Sequence, residues 1–344
     1  MLITHASMTD ARFDIDTLRQ WLTALLQASG MRDDDAALGA GTLLHADALG
    51  IVTHGLARLP TYWSQLRRGV LRPDAQVSGH EAAGLVRIDA KRAFGPFAGA
   101  RAMQIAQAHL SATRAFVPFV IEGAGHLGAL ATLVGPVAHS GRIALLMQST
   151  QPVMAPAGSH GAAIGNNPIA FAAPRADGPP LLIDFAASVT ALSRVLDAHR
   201  ENRSIPADWA IDAAGVPTHD TAAALAGALL PMAAHKGLAL AMLVQVLAGV
   251  LTGSRPDLSE KSAAPGCGAF GLVLDPASIA PDYDSDMQMW IDTYRRSAGA
   301  GARLPGERAA DALQRSARDG VAVPPGLLAQ LREIGLDAGV PLPG

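Results

Sequence analysis

The chain has 344 residues, of which 49% are hydrophobic and 17% charged, and its formal net charge is -3 at pH 7. This length and composition predict a globular protein of one large or two modest domains. The charged residues are dispersed and form no basic stripe that would neutralise phosphates, which argues against a nucleic-acid partner. A single cysteine, Cys267, excludes an internal disulfide and a cysteine-rich metal site and is consistent with a reducing cytoplasm.

Hydrophobic periodicity predicts alternating helices and strands along the chain. The first two helices have acidic starts, which is typical of helix N-termini. The predicted helices are 18–27, 34–48, 97–112 and 127–139. The predicted strands are 85–88, 116–121, 143–147, 169–172 and 181–184. This alternation favours an α/β fold.

Three segments fall outside that alternation. Residues 151–174 contain four prolines among glycines and small residues, and such a long structured loop is expected to line a site. Segments 175–180 and 254–268 are linker candidates. The most apolar segment, 237–253, is shorter than the roughly 20 residues of a bilayer span and predicts a buried helix. Because the N-terminus also lacks the apolar length of a secretory signal, we expect a cytoplasmic protein with no membrane partner.

One short run combines a proton donor, a carboxylate binder and a phenol. If a helix begins near Thr53, then His54, Arg58 and Tyr62 project from nearly one face. Imidazole changes charge near neutral pH, and a guanidinium offers a fixed fork to a carboxylate. The run therefore predicts a site for a small anionic substrate, and the alternative is a solvated helix face with an incidental histidine. Pro60 requires the helix to begin just before it or to bend there.

A glycine-rich motif follows the predicted strand 116–121. Residues 123–128 read Gly-Ala-Gly-His-Leu-Gly, a literal G-x-G-x-x-G in the strand-to-helix context of a Rossmann loop. That fingerprint also needs an acidic residue about 20 positions further on. No Asp or Glu stands between Gly123 and Asp177. A Rossmann loop and a glycine-rich turn with an incidental His126 both stay open on this pattern.

The pattern acidic-x-x-Gly-x-x-(Ser/Thr)-His-Gly-x-x-Arg-hydrophobic-x-x-Tyr resembles the opening motif of the malate/L-lactate/ureidoglycolate dehydrogenase family. That family also contains the cyclic-imine (piperideine and pyrroline-2-carboxylate) reductases. The motif residues in this chain are Asp47, Gly50, Thr53, His54, Gly55, Arg58 and Tyr62. Further motifs follow in the family's order at 125–128, 152–158, 165–168, 184–188, 205–212, 235–237 and 305–308. The resemblance runs from about the first helix to the last.

The resemblance implies a non-Rossmann α/β fold that binds a nicotinamide cofactor. The cofactor-binding domain would span 76–264, and a helical, substrate-side domain would be formed from both chain ends, 1–75 and 265–344. The resemblance also implies a homodimer with the site near the interface.

The same resemblance implies a role for particular residues. The cofactor would be NADP or NAD, with NADPH slightly favoured, and the substrate a small 2-oxo or 2-imino acid. His54 would give its proton as hydride reaches C2, with Thr53 as a hydroxyl relay and His126 also catalytic. Arg58 and Tyr62 would bind the substrate. Asn166 and Asn167 are expected to donate from the proline-rich loop, and Arg194 is a further substrate-binding candidate at a position where the chain departs from the family. The cofactor-binding residues would be Asp184, Phe185, Ala186, Ser188, His235, Lys236, Gly237, Gly306, Glu307 and Arg308.

Some of these residues can also be interpreted without the family. Lys236 and Gly237 stand at the head of an apolar helix, where free N–H groups and positive potential favour a phosphate. For Asp184 the alternative is an acid at a strand end that caps the next turn. For residues 306–308 the alternative is a simple helix start.

The chain departs from the family pattern at several positions. Leu192, Ser193 and Arg194 replace the usual Arg-Gly-acid or Arg-Gly-Lys. An arginine in place of the acid argues against imine reduction and favours a more anionic substrate. Ala233-Ala234 replaces the usual Gly-Gly before His-Lys-Gly. These departures keep a second hypothesis open, a divergent binding protein without catalytic activity.

Two other chemistries are disfavoured. Residues 157–161 read Ala-Gly-Ser-His-Gly, one residue short of the nucleophile elbow of a serine hydrolase, and no strand precedes them. His45, Asp47 and His54 lack the paired spacing of metal ligands, so no metal is predicted.

Overall fold

The computed structural model describes residues 10–156, 158–254, 267–299 and 301–344. The predicted linker 254–268 lies almost entirely outside these ranges, as does the predicted domain boundary at 264/265.

Helices form at all four predicted positions, with shifts at their ends. The helices are α1 (Ile15–Ala28), α2 (Asp33–Ala48), α3 (Leu59–Arg67), α4 (Gly95–Ala108), α5 (Ala131–His139), α6 (Leu192–Arg200), α7 (Thr221–Ala226), α8 (His235–Val244), α9 (Pro276–Ile279), α10 (Tyr283–Ala298), α11 (Glu307–Asp319) and α12 (Pro325–Asp337). The predicted helix 127–139 begins four residues late, at Ala131, because residues 125–130 form a loop.

All five predicted strands are present. The strands are β1 (Ala11–Phe13), β2 (Ser78–Ala82), β3 (Leu85–Asp89), β4 (Phe116–Ala124), β5 (Ile143–Gln148), β6 (Pro152–Met154), β7 (Ile164–Gly165), β8 (Ile169–Ala173), β9 (Leu181–Phe185), β10 (Ala210–Ile211), β11 (Ala228–Leu229), β12 (Cys267–Leu274) and β13 (Val321–Val323). The predicted strands correspond to β3, β4, β5, β8 and β9.

The main sheet has seven strands in the order β2-β3-β4-β12-β5-β8-β9. Only β3 and β4 pair in parallel, and every other pair of neighbours is antiparallel. A Rossmann unit needs β4 and β5 as parallel neighbours around α5, but β12 lies between them. The motif at 123–128 is therefore not a Rossmann loop, and the mixed sheet confirms the non-Rossmann α/β fold.

Helices cover both faces of this sheet. On one face α4 and α5 pack on the strands, α2 packs on those two helices, and α1 packs on α2. The core there is continuous from Trp21 through Phe94 to Phe119, all nearly inaccessible to solvent. On the other face, Val244 and Ala248 pack against Met147 and Ile169. The sheet thus fixes the ends of α2, β4 and β5, which carry the candidate site.

Two smaller sheets complete the fold. A four-stranded sheet, β10-β11-β6-β7, packs with α6 and α7 around a second core. Strands β1 and β13 pair in antiparallel fashion, so the two ends of the described chain lie together.

The apolar segment 237–253 is not the buried helix that its composition predicted. It forms α8 and then a π-helical turn, Gln245–Val250. One side packs on the sheet, but five large apolar side chains are exposed: Met242, Leu243, Val246, Val250 and Leu251. The sequence alone does not show that this helix lies on the outside of the single chain. None of the helices within the described ranges has the length and apolar character needed to cross a membrane.

Candidate active site

The segment between α2 and α3 carries the predicted catalytic residues, but it is not a continuous helix. It consists of two short 3₁₀ turns, Val52–His54 and Leu56–Arg58, separated by Gly55. Helix α3 begins at Leu59, so Pro60 lies in its first turn, where the missing N–H has no helical partner to lose. The helix therefore starts just before the proline, one of the two options that Pro60 allowed, and the single helix predicted from Thr53 is wrong.

The three predicted side chains nevertheless meet, together with His126. The rings of His54 and His126 are stacked, with centroids 5.4 Å apart and an interplanar angle of 26°. The Tyr62 hydroxyl lies 2.7 Å from Nδ1 of His126. Arg58 is close enough to lower the pKa of His54, Tyr62 and His126, although burial is the larger influence on each. The two 3₁₀ turns therefore bring together the His54, Arg58 and Tyr62 side chains, which a single helix was expected to align.

His54 is neutral at pH 7 in this environment. Burial, and then the Arg58 charge, lowers its pKa to about 4. Its Nδ1 lies 2.9 Å from the hydroxyl oxygen of Thr53. The ring is therefore held by its neighbour in the same turn, as the hydroxyl-relay hypothesis requires.

His126 is a fixed, neutral hydrogen-bonding group. Burial lowers its pKa well below the usual value, and the neighbouring Arg58 and His54 lower it further. The Gly128 N–H donates to Nδ1 at 3.3 Å, so this nitrogen is an acceptor and the neutral ring carries its proton on Nε2. The buried Tyr62 hydroxyl lies beside the same nitrogen, and burial raises the pKa of that phenol.

Arg58 is a cation with an unused hydrogen-bond donor. Its Nε is buried and has no hydrogen-bond partner among the described residues. Its neighbours His54, Tyr62 and His126 are neutral, so they do not offset its charge. A buried, unpaired donor is costly, and an anionic ligand would remove that cost. The cluster therefore fits a small carboxylate.

A side chain that sequence reasoning missed holds the His126 loop. Gln148, at the end of β5, is buried; its amide donates to the Gly125 carbonyl at 2.8 Å, and its Oε1 accepts from the Leu127 N–H at 3.2 Å. The two hydrogen bonds are made by the backbone of the residues directly before and after His126. Gln148 occupies the region where a Rossmann fold would place an acid, and only the tertiary contact shows its role.

The asparagines of the proline-rich loop differ in what they do. Asn167 is fully buried, accepts a hydrogen bond from the Thr150 N–H at 2.9 Å and donates to the Ala241 carbonyl at 2.8 Å. It is therefore committed to holding the loop against α8. Asn166 accepts from the Thr150 hydroxyl at 2.9 Å through its Oδ1, and its amide nitrogen stays available as a donor.

Two of the predicted cofactor segments lie side by side. Helix α8 begins at His235, with His235 and Lys236 both exposed. A Cβ at Gly237 would lie 2.6 Å from the carbonyl oxygen of Ala187, so only glycine allows this close approach. The Met232 N–H donates to that same carbonyl at 2.9 Å. A helix N-terminus with an exposed lysine thus stands next to the 184–188 segment, an arrangement that suits a phosphate.

Within the 184–188 segment the side chains also have local functions. Asp184 accepts from the Ala131 N–H at 2.8 Å and so caps the start of α5, a helix earlier in the chain and not the turn that follows β9. Phe185 packs against the apolar side chains under the π-helical turn. The Ser188 hydroxyl donates to the Thr190 carbonyl at 2.6 Å, and Ala186 is half-buried. None of these contacts conflicts with a cofactor on the exposed side of Asp184.

The 306–308 segment begins α11 next to β9. The N–H of Leu182, two residues before Asp184, donates to the Pro305 carbonyl at 3.1 Å, directly before Gly306. Glu307 accepts from Arg295 at 2.6 Å and from the Leu304 N–H at 3.0 Å, and these bonds, the backbone one most, lower the pKa of its carboxyl. Arg308 is exposed. Glu307 therefore orders the start of the helix, while Arg308 is free to reach a ligand.

Arg194 lies in the first turn of α6 and is exposed. Two hydroxyl groups beside it in the sequence, those of Thr190 and Ser193, are buried and have no hydrogen-bond partner within the described part of the chain. The structure does not place Arg194 in the His54 cluster. Its contact with substrate stays a prediction.

The two alanines that replace Gly-Gly adopt a backbone conformation suited to glycine. Ala233 has φ 45° and Ala234 has φ 51° with ψ -113°. Such conformations cost about 1–3 kcal/mol in a residue with a Cβ. The sequence showed that alanines replace the two glycines, and the structure shows that this replacement introduces backbone strain directly before α8.

We expect Ala234→Gly to stabilise the protein. Relief of strain outweighs the added freedom of the unfolded chain, so the gain should be about 1 kcal/mol, or ~2 °C in Tm. Ala239→Gly is the matched control, because Ala239 is exposed within the same helix and its substitution should lower Tm. A Tm of Ala234→Gly at or below that of the parent would contradict the prediction.

Across residues 10–156, 158–254, 267–299 and 301–344, no three His, Cys, Asp or Glu side chains are grouped so that they could hold a metal ion.

Comparisons with known proteins agree with the motifs over nearly the whole chain. The family model described as malate/L-lactate dehydrogenase matches residues 13–332. A (2R)-3-sulfolactate dehydrogenase (NADP(+)) of Chromohalobacter salexigens is 34% identical over 315 residues, covering 90% of this chain and 93% of that protein. A Delta(1)-pyrroline-2-carboxylate/Delta(1)-piperideine-2-carboxylate reductase of Pseudomonas aeruginosa is 32% identical over 343 residues, covering 93% and 98%. The crystal structure of delta1-piperideine-2-carboxylate reductase from Pseudomonas syringae pvar. tomato superimposes with a TM-score of 0.84 at 31% identity, covering 94% of this chain and 99% of that one.

Proposed function

Because the chain belongs to the malate/L-lactate dehydrogenase family, we propose that it transfers a hydride between a nicotinamide cofactor and C2 of a small 2-oxo or 2-hydroxy acid. One observation carries the choice of substrate class. The buried, unpaired Nε of Arg58 lies among neutral groups and calls for a carboxylate. A proton donor, His54, belongs to the same cluster.

His54 is the proposed acid and base. In the free site its pKa of about 4 leaves it neutral, ready to accept the proton of a hydroxy acid during oxidation. In the reducing direction it must carry a proton. A carboxylate bound to Arg58 offsets the positive charge that lowers the pKa of His54, so substrate binding favours protonation. The Thr53 hydroxyl, 2.9 Å from Nδ1, orients the ring and can relay that proton.

The other side chains bind and orient the substrate. Arg58 offers a two-pronged donor to the carboxylate and so fixes which face of C2 is presented. His126 donates through Nε2 to the substrate oxygen, because its Nδ1 already accepts from the protein. Tyr62 holds His126 in place, and Asn166 supplies an amide donor from the opposite loop.

The start of α8 fits the phosphates of a dinucleotide. Free N–H groups, the exposed Lys236 and the close approach allowed by Gly237 form a cationic end beside Asp184 and Ser188. We propose NADPH as the preferred cofactor, with Arg308 contributing at its far end. The bound nicotinamide supplies or takes the hydride. The protein would act in the cytoplasm.

Reduction of a cyclic 2-imino acid is the second candidate. Relatives named as pyrroline- and piperideine-2-carboxylate reductases, 32% identical to this chain, favour it. Arg194 argues against it, since it adds positive charge where those reductases are expected to carry an acid. We propose instead that Arg194 contacts a second acidic group of the substrate.

The test is NADPH and NADH oxidation by the purified protein with pyruvate, oxaloacetate, sulfopyruvate and the two cyclic imines. We expect turnover with 2-oxo acids, highest with those that carry a second acidic group, and we expect Arg194→Leu to remove that preference. Faster turnover of the imines would favour the second candidate. No turnover, with NADPH still quenching tryptophan fluorescence, would favour a binding protein. No quenching by either cofactor would contradict both enzymatic proposals.

We also propose that the chain forms a homodimer through the exposed apolar face of α8 and the π-helical turn. Val246 and Val250 are 57% and 68% exposed there, and exposed apolar patches of this kind mark interfaces. Sedimentation should give a mass near twice the 35.4 kDa of one chain. Val246→Asp should yield monomers, whereas Met289→Asp, at an exposed apolar residue of α10, should not. A monomeric parent protein would contradict the proposal.

The division into domains 1–75 plus 265–344 and 76–264 stays a proposal as well.

A further inference from the structure

Asp47 is a buried carboxylate that the proposed chemistry does not use. It lies in the last turn of α2 and is only 8% exposed. Its Oδ2 accepts a hydrogen bond from the backbone N–H of Leu56 at 2.8 Å. Burial raises the pKa of this carboxyl to about 7, and the Leu56 bond partly offsets that rise. Burying an ionisable group costs free energy, so an acid buried outside the proposed chemistry needs an explanation.

In the sequence, Leu56 stands midway between His54 and Arg58, the two main residues of the proposed substrate site. Two 3₁₀ turns of three residues have little stability of their own, so their relative placement depends on contacts outside them. The first turn is joined to the end of α2 by a backbone bond from the Ile51 N–H to the Ala46 carbonyl, 2.8 Å long. The second turn, which carries Arg58, is joined to α2 by the Asp47 side chain.

Gly55, the residue between the turns, makes room for this bond. A Cβ built at Gly55 would overlap the Asp47 carboxylate. The carboxylate therefore packs directly against the backbone that separates His54 from Arg58. This explains in physical terms why the motif has glycine after the histidine and an acid seven residues before it.

We propose that Asp47 is a positioning residue that fixes the Arg58 guanidinium relative to His54. The inference rests on the proposed function, in which His54 and Arg58 act on one substrate. Without the Asp47 acceptor the second turn keeps its buried Leu56 side chain but loses the hydrogen bond that joins its backbone to α2, and Arg58 no longer meets a carboxylate at the distance that His54 requires. The change should therefore affect KM for the acid and kcat, but not cofactor binding.

The experiment compares Asp47→Ala, Asp47→Asn and the parent enzyme in kinetics, in affinity for oxamate with NADPH bound, and in affinity for NADPH alone. We expect Asp47→Ala to raise KM and weaken oxamate binding at least about tenfold, with NADPH affinity within about twofold. Asp47→Asn keeps an oxygen acceptor and should restore oxamate affinity to within about threefold. Asp35→Ala is the matched control, because Asp35 is buried in the same helix but pairs with Arg32 and Arg101. It should lower Tm without changing KM.

A pair of glycine variants makes the test independent of simple loss of stability. Gly55→Ala alone should weaken oxamate binding, because its Cβ displaces the carboxylate. In Gly55→Ala/Asp47→Ala the carboxylate that the Cβ would overlap is gone, so the double variant should bind no more weakly than Asp47→Ala. Oxamate affinity within twofold of the parent in a folded Asp47→Ala, or additive losses in the double variant, would overturn the proposal. A parent that binds oxamate but turns over no substrate would refute the proposed function alone, and a parent that binds no oxamate would refute both.

Discussion

Replacing His54 with alanine is expected to lower kcat by about 10²–10⁴-fold, the range typical for loss of a positioned acid or base. The expectation rests on its stacking with His126 at 5.4 Å and on the anion site that Arg58 forms in the same cluster. Because the cofactor segments lie on other elements, NADPH affinity should stay within about twofold. Steady-state kinetics and fluorescence quenching measure the two quantities.

The pH dependence of the parent enzyme provides a separate check on His54. Reduction requires the protonated ring, and the pKa of the free site is about 4. The kcat/KM for reduction should therefore fall about tenfold for each pH unit above that value, since kcat/KM reports the free enzyme. Oxidation requires the neutral ring, so its kcat/KM should be level above about pH 4 and fall below it. Both slopes should disappear in His54→Ala.

His109→Ala serves as the control for the removal of an imidazole. His109 pairs with Glu81 at 3.1 Å outside the His54 cluster, so its loss should leave kcat unchanged. Activity of His54→Ala equal to that of the parent would remove His54 from the chemistry. Equal losses in both variants would point to a general effect on folding.

The sequence predicted the elements whose signals are local. Helices α1, α2, α4 and α5 and strands β3, β4, β5, β8 and β9 follow from apolar periodicity, and all are present. Strand β12 was missed, although it lies at the centre of the main sheet between β4 and β5. It follows a segment that looked like a linker, and its glycines are disfavoured in strands. Its place depends on pairing with two strands more than 100 residues away, which periodicity does not encode.

At the candidate site the sequence likewise predicted which residues take part, but not the shape of the backbone that carries them. Motif residues His54, Arg58, Tyr62 and His126 were identified from sequence, and the structure brings them together. The local shape was wrong, because Gly55 interrupts the expected helix and a contact with Asp47 decides the path of the chain. No pattern within the motif reveals that contact.

Arg58→Leu is expected to raise KM for a 2-oxo acid by roughly 30- to 4,000-fold. Removing one partner of a desolvated charge pair costs about 2–5 kcal/mol, and each 1.4 kcal/mol is a factor of about ten. The unpaired Nε of Arg58 in the free site is the basis of this expectation, because its donor capacity is unused until a carboxylate arrives. Arg58→Lys keeps the charge but loses the fork, so its KM should lie between those of the leucine variant and the parent.

The loss of Arg58 should also change the pH profile, which distinguishes it from loss of an ordinary binding residue. Its charge lowers the pKa of His54, so in Arg58→Leu that pKa should rise, although burial continues to hold it below the usual value. The pH at which kcat/KM for oxidation falls should therefore move upward. Arg67→Leu is the control, since Arg67 is exposed on α3 and lies 3.7 Å from Asp337. A raised KM without movement of the pH profile would separate Arg58 from His54 and contradict their action on one substrate.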